Sequence, residues 1–262
     1  MHIATLSSSS TRGNAYLAWD DNSRPILIDC GISIRRLVRG LDHLGMKPQD
    51  IGALFVTHEH SDHISAMCLV TPVAERFRIP VYSSPGFWSW YHHRVERHID
   101  SALIRVIRPG DTVSVGRMSV RAFAKPHDAV EPLAFTVESG GQRAAFVTDL
   151  GYVPEEICRA MAGSDYVVFE SNHDVEMEKR SGRPIYLIRR VLGNLGHLSN
   201  EQAGESLARL VTKNTRQVVL AHLSIDCNTP ELARRAVVDR LLQEGKRCSV
   251  AVAPPGDVAV FH

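Results

Sequence analysis

The chain has 262 residues and a formal net charge of +1, with 44% hydrophobic and 23% charged residues. This length and composition predict an ordinary globular protein with a single domain over residues 1–262. Apolar runs stay well short of the roughly 18 residues of a membrane span, and the near-neutral charge excludes a global electrostatic attraction to nucleic acid, so polyanion binding would depend on a local patch.

The first quarter of the chain predicts short strands followed by a helix. Alternating apolar residues predict strands at residues 3–6, 15–19 and 25–28, separated by a Ser-rich loop and a polar turn. Asp29 ends the third strand. We expect it either to cap the element that follows or to orient neighbouring groups. A helical apolar stripe follows at residues 33–44. Arg36 and Arg39 lie off this stripe and are expected to face solvent.

The densest polar cluster follows an apolar, strand-like run at residues 51–56. Within seven residues stand three imidazoles and two carboxylates, in the order Thr57, His58, Glu59, His60, Ser61, Asp62 and His63. Burying even one unpaired charge costs on the order of several kcal/mol, so such a cluster persists only if it is solvated, paired or bound to a cation. Strand alternation directs His58 and His60 the same way, and the turn brings Asp62 and His63 to a second position close by. The cluster therefore indicates a two-metal site.

The rest of the chain alternates between predicted strands and helices. Strands are predicted at residues 79–83, 103–107, 112–115, 118–123, 133–138, 143–148, 166–169, 217–221, 247–252 and 258–261, and helices at residues 64–77, 87–98, 154–161, 200–211 and 230–244. The aromatic helix 87–98 is expected to cover part of the site. His127, Asp149 and His222 each follow a predicted strand, and open α/β sheets place their sites at strand ends.

A basic segment and a helix start lie in the second half of the chain. Residues 179–190 form the most basic local stretch and end in Arg189 and Arg190. Ser199 and Gln202 form a capping-box pattern, so a helix is predicted to begin there with its amide donors beside His197. We expect Arg189, Arg190 and Ser199 to contact an anionic substrate. A solvated helix face is the alternative for the basic stretch.

The pattern H-x-H-x-D-H after a strand resembles the signature of the metallo-β-lactamase superfamily. This resemblance implies an α/β fold, the αββα sandwich, in which two mixed β-sheets lie face to face and are flanked by helices. It also implies that His127 supplies a third imidazole to the first metal and that Asp149 bridges two metals. Asp29 would orient the loop of ligands, since ligating imidazoles need a fixed tautomer.

The later segments resemble the phosphodiesterase branch of this superfamily. No secretory signal is visible, as a β-lactamase would need, and the helices that a glyoxalase II-type thioesterase would append are not indicated. The segments that carry a closer resemblance, to the YycJ/WalJ family, are residues 148–152, 170–174, 196–200, 221–224 and 228–231. That resemblance covers essentially the whole chain, departs from the family in the loop of residues 7–14, and implies a metal-dependent exonuclease that digests DNA from 5′ ends.

These resemblances lead to one assignment of the site. His58, His60 and His127 are predicted to hold one metal, Asp62, His63 and His222 the other, and Asp149 is predicted to bridge both ions with a water that becomes the hydroxide nucleophile. Zn²⁺ and Mn²⁺ both suit imidazole and carboxylate ligands. Asp62 and Asp149 would thus take part in catalysis. With the other imidazoles assigned, His197 is predicted to act as a general acid and not as a ligand.

DNA is the expected substrate, with RNA as an alternative. Two other functions stay open: a small-molecule cyclic phosphodiesterase of the phosphoribosyl 1,2-cyclic phosphate type, and a non-catalytic, metal-stabilised regulatory protein. The five cysteines are widely spaced and odd in number, which is typical of a reducing compartment, so we expect a cytoplasmic protein without a membrane partner. Cys30 and Cys227 lie beside candidate site residues in the sequence. The sequence does not indicate an oligomeric state.

Overall fold

The computed structural model describes residues 1–69, 71–95 and 97–261, and its strands form two seven-stranded sheets. The first sheet has the order β14-β1-β2-β3-β4-β5-β6, with β1 (His2–Ser7), β2 (Ala15–Trp19), β3 (Ile26–Ile28), β4 (Ala53–Phe55), β5 (Val81–Ser83), β6 (Ile104–Val106) and β14 (Ala259–Phe261). The second has the order β13-β12-β11-β10-β9-β8-β7, with β7 (Thr112–Val115), β8 (Met118–Ala124), β9 (Leu133–Ser139), β10 (Gln142–Val147), β11 (Tyr166–Glu170), β12 (Gln217–Ala221) and β13 (Ser249–Val252).

Helices connect these strands. They are α1 (Ile34–His43), α2 (Ser61–Ile64), α3 (Val73–Phe77), α4 (Pro85–Arg94), α5 (Glu155–Met161), α6 (Val175–Lys179), α7 (Ile185–Val191), α8 (Asn200–Leu210) and α9 (Pro230–Gln243). Single 3₁₀ turns occupy Pro48–Asp50, Ser65–Met67 and Ser101–Leu103. Across the described residues, none of the helices has the length and apolar character needed to cross a membrane.

Successive side chains of a strand point alternately into a central core between the sheets and into an outer core beneath the helices. Ile26 and Ile28 of β3 pack between the two sheets, whereas Leu27 packs on the outer side of the first sheet with α1. In the second sheet Val168 of β11 points into the same central core, and Val167 packs outward with α8. This alternation follows from the two-residue repeat of a strand. The predicted αββα sandwich is therefore confirmed, with helices on both outer faces.

The strands next to the candidate ligands run parallel. β3 pairs with β4 in parallel, and β11 pairs in parallel with both β10 and β12. Ile28 lies opposite Phe55, and Glu170 opposite Ala221, so the carboxyl ends of neighbouring strands are level. Residues that follow these strands therefore emerge together at one edge of each sheet, where parallel sheets place functional residues.

Two helix predictions need correction. The helix predicted at residues 64–77 is divided into α2, a 3₁₀ turn and α3, because Pro72 lacks an amide donor and restricts the residue before it to extended conformations. Val70, which that prediction includes, lies outside the described residues, as does Glu96 of the predicted helix 87–98. The latter helix is α4, and it starts earlier because the Ser84 hydroxyl accepts the Phe87 amide proton.

The aromatic side chains of α4 do not cover the candidate site. Phe87, Trp88 and Tyr91 are buried in the core on the outer face of the first sheet. The tyrosine hydroxyl donates to the carbonyl of Met67, 2.7 Å away. The helix supports the segment after the ligand loop from behind. The sequence gave no indication of the short helix α6, whereas α7 corresponds to the helical alternative for the basic stretch.

Candidate metal centre

Three strand-end residues of the site have left-handed backbone conformations. The φ angles are 58° at Asp29, 59° at Asp149 and 58° at His222, and these residues follow β3, β10 and β12. Such a conformation costs a non-glycine residue on the order of 1 kcal/mol, although Asp and His adopt it more readily than branched residues. Each turns the chain sharply at a strand end, and Asp149 and His222 thereby reach the loop of residues 57–63 on the other sheet.

The first group of candidate ligands, here called the histidine trio, consists of His58, His60 and His127. Nδ1 of His60 lies 3.1 Å from Nε2 of His58 and 3.2 Å from Nε2 of His127. The Nδ1 atoms of the other two rings face acceptors, the Thr57 hydroxyl at 2.8 Å and the Gly196 carbonyl at 3.2 Å. These acceptors keep protons on Nδ1 and leave a lone pair on each Nε2. Three nitrogen lone pairs therefore converge, as in a zinc site.

The second group, here called the acidic quartet, consists of Asp62, His63, Asp149 and His222. Nε2 of His63 lies 3.3 Å from Oδ2 of Asp62 and 3.3 Å from Oδ1 of Asp149. Nε2 of His222 lies 3.2 Å and 3.4 Å from the same two oxygens. All four donor atoms lie within 4.8 Å of one another. The quartet thus combines two nitrogen and two oxygen donors, drawn from both sheets.

Buried carboxylates lie behind both imidazoles of the acidic quartet. Nδ1 of His63 is 2.7 Å from Asp29, and Nδ1 of His222 is 2.8 Å from Glu170. A carboxylate in this position fixes the tautomer and makes the imidazole a stronger donor. Asp29 also accepts the amide and hydroxyl protons of Thr57, each at 2.8 Å. These are the contacts that the expected orienting role of Asp29 requires.

The imidazoles of the two groups differ in their pKa values. Burial lowers the pKa of His58 well below its ordinary value and the pKa of His127 to about 3. Burial also disfavours the charged form of His222, but nearby carboxylates, Asp149 foremost, outweigh it and raise its pKa to about 10. The trio is thus a set of neutral imidazoles. The quartet instead combines two carboxylates with two imidazoles whose pKa values nearby carboxylates raise, and a divalent cation would replace the imidazole protons and neutralise the carboxylates.

The surroundings of the Asp149 carboxylate indicate whether a metal ion fits between the candidate ligands. Its Oδ2 is buried and has no hydrogen-bond partner among the described residues. The ammonium group of Lys125 is 3.9 Å away and donates to the Thr148 carbonyl at 2.6 Å. An unpaired buried acceptor costs about 1–3 kcal/mol, and more when it is charged. Oδ1 of Asp149 faces the quartet and lies 4.0 Å from Nε2 of His127 in the trio. The donors and this orphaned oxygen fit a divalent metal centre.

Glu170 is the main site residue that sequence analysis did not assign. It is fully buried at the end of β11, and its Oε1 faces Nδ1 of His222 at 2.8 Å and Nδ1 of His197 at 2.9 Å. Its Oε2 accepts the amide protons of Leu150 and Leu198. One carboxylate therefore orients a candidate ligand and the candidate general acid together. Its place at a strand end was the signal that could have indicated a role.

The loop of residues 7–14 also contacts the site, which the sequence did not indicate. Nδ2 of Asn14 lies 3.2 Å from Oδ2 of Asp62 and 3.2 Å from Nε2 of His63. The Ser8 hydroxyl accepts the amide proton of His222 at 2.8 Å. Close packing at Gly31 fixes the ligand loop, because a β-carbon there would lie 1.6 Å from the Asp62 carbonyl oxygen. This loop and the end of β3 therefore hold the acidic quartet in place.

Cys30 is buried and supports the ligand loop through its backbone. Its amide donates to the His63 carbonyl at 2.8 Å, and its carbonyl accepts the Ala66 amide at 3.1 Å. Burial raises the pKa of the Cys30 thiol to about 12, so the side chain stays a neutral thiol. Neither Cys30 nor Cys227 belongs to a group of candidate ligands within the part of the chain that the structure describes.

A cavity of about 270 Å³ opens onto the candidate ligands. Its lining residues are Ser10, His60, Ser61, Asp62, Asp149, Arg190, His197 and His222. The Arg190 guanidinium forms an ion pair with both carboxylate oxygens of Asp128, one at 3.1 Å, and this pair holds it at the wall. A guanidinium and an imidazole thus face the acidic quartet, which suits an anionic group such as a phosphate.

The predicted substrate contacts occupy different environments. Arg190 lines the cavity, and Arg189 is exposed beside it on α7. Ser199 is buried, and its hydroxyl accepts the Gln202 amide proton at 3.2 Å, which confirms the predicted capping box at the start of α8. Further along the basic stretch Arg183 pairs with two carboxylates. Most basic side chains of this stretch are thus paired with carboxylates, Arg190 included.

Comparisons with known proteins agree with this geometry. A model of the beta-lactamase superfamily domain matches residues 24–223. The exodeoxyribonuclease YycJ of Bacillus anthracis is 33% identical over 94% of this chain and 90% of its own length. The exodeoxyribonuclease WalJ of Streptococcus pneumoniae is 30% identical over 91% of this chain and 87% of its own. The Zn²⁺-bound PqqB of Methylobacterium extorquens shares the fold, with a TM-score of 0.73 at 19% identity and complete coverage of both chains.

Proposed function

The chain belongs to the YycJ/WalJ family of the metallo-β-lactamase superfamily, and we propose on this premise that it is a metal-dependent exodeoxyribonuclease that digests DNA from 5′ ends. The observation that carries the proposal is the meeting of two candidate ligand groups at Asp149, beside a cavity that holds Arg190 and His197. The substrate class is supported by the relatives that match along most of the chain. The direction of digestion rests on the family resemblance alone.

The protein binds divalent metal, and we propose two ions, Zn²⁺ or Mn²⁺. The histidine trio would hold one and Asp62, His63 and His222 the other, with Asp149 shared between them. When bound, two such ions supply Lewis-acid stabilisation of the phosphate and activation of a water molecule. Imidazole nitrogen and carboxylate oxygen suit both metals, so the donor set does not select between them.

The side chains of the cavity then orient the phosphate. Arg190 presents planar guanidinium donors, and the Asp128 carboxylate limits its rotation. Such a guanidinium can bind a phosphodiester through two hydrogen bonds at once. Its place in the cavity wall supports a contact with the scissile phosphate, while Arg189, which does not line the cavity, would contact a neighbouring phosphate.

His197 is proposed to protonate the leaving oxygen. Its Nδ1 proton is held by Glu170 at 2.9 Å, so Nε2 is the atom that can exchange a proton in the cavity. A cleaved phosphodiester leaves an alkoxide that needs a proton, and a positioned imidazole can supply it. Only 13% of the His197 side chain is exposed, which limits competing exchange with bulk water.

Labelled substrates test this function. Purified protein loaded with Mn²⁺ or Zn²⁺ is given DNA labelled at the 5′ or the 3′ end, the matching RNA, and a chromogenic phosphodiester. We expect early release of the 5′ label as mononucleotide and gradual shortening of the 3′-labelled strand. Release of the 3′ label first would overturn the direction, and preference for RNA would overturn the substrate.

The confined cavity favours one second candidate, a small-molecule cyclic phosphodiesterase. A volume of about 270 Å³ is at the small end for a ligand site and would suit a single sugar phosphate. Hydrolysis of a cyclic phosphodiester in the same assay, with DNA left intact, would establish that function instead. Failure to hydrolyse any of the substrates with metal bound would favour a regulatory protein.

A further inference from the structure

A second cleft, with two arginines and a histidine in its lining, lies between α1 and the segment before β14. Its volume is about 430 Å³, and its lining includes Arg36, Arg39, His43, Gly256 and Asp257. Among the lining residues that the structure describes, Asp257 alone carries a carboxylate, and it is exposed. The cleft therefore carries an excess of positive charge on a chain whose net charge is only +1.

Arg12 borders the same cleft from the loop of residues 7–14. The position that a β-carbon of Gly256 would occupy lies 3.2 Å from Nη2 of Arg36 and 3.9 Å from Nη1 of Arg12. Arg36 donates to the Arg12 carbonyl at 2.6 Å and to the Ser7 hydroxyl at 3.0 Å. Two guanidinium groups thus border one point, and Arg36 ties the loop to α1. The expectation that Arg36 and Arg39 lie on a simple solvated face needs correction for Arg36, which is half-buried under this loop.

The guanidinium groups of the cleft are only partly neutralised by the protein. Arg12, Arg36 and Arg39 form no ion pair within 4.0 Å with a described carboxylate, in contrast to Arg190, which is paired with Asp128. Burial, Arg39 and Arg12 lower the pKa of Arg36, and these effects outweigh the opposite effect of the Asp257 carboxylate. An anion with several oxygens would relieve this crowding of like charges, and phosphate matches the planar donors of guanidinium groups.

The cleft is connected to the catalytic cavity by the loop itself. Ser10 lines the cavity, and Arg12, two residues later, borders the cleft. The same loop contacts the candidate ligands through Ser8 and Asn14. A strand whose terminal phosphate lies in the cavity would therefore reach Arg12 by crossing the outside of this loop.

We propose that Arg12, Arg36 and Arg39, the arginine cleft, bind backbone phosphates of the DNA strand beyond the reaction centre. This inference rests on the proposed function. These arginines contact phosphates and not bases, so they hold the strand by charge, without sequence preference, and fix the path of the strand away from the cavity. It also gives a chain of low net charge the local basic patch that polyanion binding requires.

Charge reversal at the exposed arginines tests the cleft. Arg12→Glu and Arg39→Glu are combined, while Arg36 is kept because it holds the loop. Arg235→Glu is the control for the effect of a charge reversal away from the cleft. Arg235 lies at an exposed position on α9, in the other outer layer. Fluorescence anisotropy with a cleavage-resistant phosphorothioate single strand and metal-loaded protein measures binding. Turnover of a chromogenic phosphodiester checks that fold and metal centre are intact.

We expect the double variant to bind the strand roughly tenfold more weakly, with the slope of log affinity against log salt flatter by about 0.7 for each lost phosphate contact. Chromogenic turnover should stay near the wild-type value. Unchanged binding, or an equal loss in the Arg235→Glu control, would overturn the cleft as a strand site. Calorimetric binding of inorganic phosphate that depends on Arg39, with strand binding unchanged, would identify a free-phosphate site and overturn the strand assignment.

The same measurements separate this inference from the proposed function. If the wild-type protein cleaves labelled DNA and the double variant binds it normally, the inference fails and the function stands. If the wild-type protein cleaves no DNA, the function fails, and the anisotropy titration still decides whether the arginine cleft binds a polynucleotide.

Discussion

The histidine trio and the acidic quartet occupy the same edge of the sandwich but differ in charge and in what lies behind their imidazoles. The trio has three nitrogen donors, and a hydroxyl and a backbone carbonyl accept the distal protons of two of its rings. The quartet has two nitrogen and two oxygen donors, and buried carboxylates accept the distal protons of both rings. A cation therefore gains more charge neutralisation in the quartet, so we expect the quartet to bind divalent metal more tightly.

The difference also follows from where the donors originate. The trio takes its members from the loop after β4 and the segment after β8, whereas the quartet joins that loop to the ends of β10 and β12. All four of its members lie in a short helix or within two residues of a strand end. We therefore expect a tightly held metal in the quartet beside a more exchangeable one in the trio, with Asp149 as the proposed common ligand.

The largest effect should come from removing that common member. Asp149→Ala deletes the one donor that faces both groups, so metal should be lost from both positions. We expect turnover of the chromogenic phosphodiester to fall by about 10⁴-fold, since metal ions stabilise the transition state by several kcal/mol. Elemental analysis of the purified variant measures the loss of metal. Unchanged metal content and hydrolysis would show that Asp149 is not a shared ligand.

His197 belongs to neither the histidine trio nor the acidic quartet, and its replacement tests the proposed general acid. His197→Ala should keep both metals and DNA binding but lose turnover by about 10³-fold, the usual contribution of a general acid. Kinetics and metal analysis are measured on one preparation. Asp149, Glu170, His197 and His222 also offer donor atoms within 4.8 Å of one another. A variant that lost a metal would therefore make His197 a ligand and reassign His222.

The groups behind the imidazoles provide a sharper comparison between the two positions. Glu170→Gln weakens the acceptor behind His222 without removing a ligand, and metal affinity of the quartet should fall by about 10 to 100-fold. Thr57→Val removes the neutral hydroxyl behind His58 and also one of the hydrogen bonds to Asp29. Metal affinity of the trio should fall less in this variant than that of the quartet does in Glu170→Gln, because the lost acceptor is neutral. Competition with a chelator measures each affinity. Equal losses in the two variants would contradict the distinction drawn between trio and quartet.

The smallest effect is expected outside the metal positions. The paired substitution Arg189→Ala and Arg190→Ala removes two positive charges on α7 and should weaken DNA binding by roughly tenfold while flattening its salt dependence. The single Arg189→Ala variant, whose side chain does not line the cavity, should affect the small diester least. Because Arg190 is placed at the scissile phosphate, the paired variant should also slow the small diester. Equal losses on DNA and on the small diester in the single Arg189→Ala variant would point to misfolding or to a small-molecule pocket in place of a strand-binding surface.

Much of the fold was accessible from the sequence because its signals are local. Alternation of apolar residues predicted the individual strands, and the spacing of His58, His60, Asp62 and His63 predicted a ligand loop at a strand end. The two layers of sheet were implied by the family resemblance. Element ends were less accurate, as the divided helix after this loop demonstrates. There, the restriction imposed by Pro72 outweighed a helical apolar pattern.

By itself, the sequence determined most strands and helices and the ligand loop of residues 57–63, because each depends on neighbours within a few residues. The αββα layers and the grouping of the candidate ligands followed from the family resemblance. Only the tertiary structure decided that Glu170 orients both His197 and His222 and that the loop of residues 7–14 lies against the site. His222 and Asp62 are 160 positions apart in the chain and 3.2 Å apart in space. Contacts of this kind depend on the register of two whole sheets and leave no periodic trace in either local sequence.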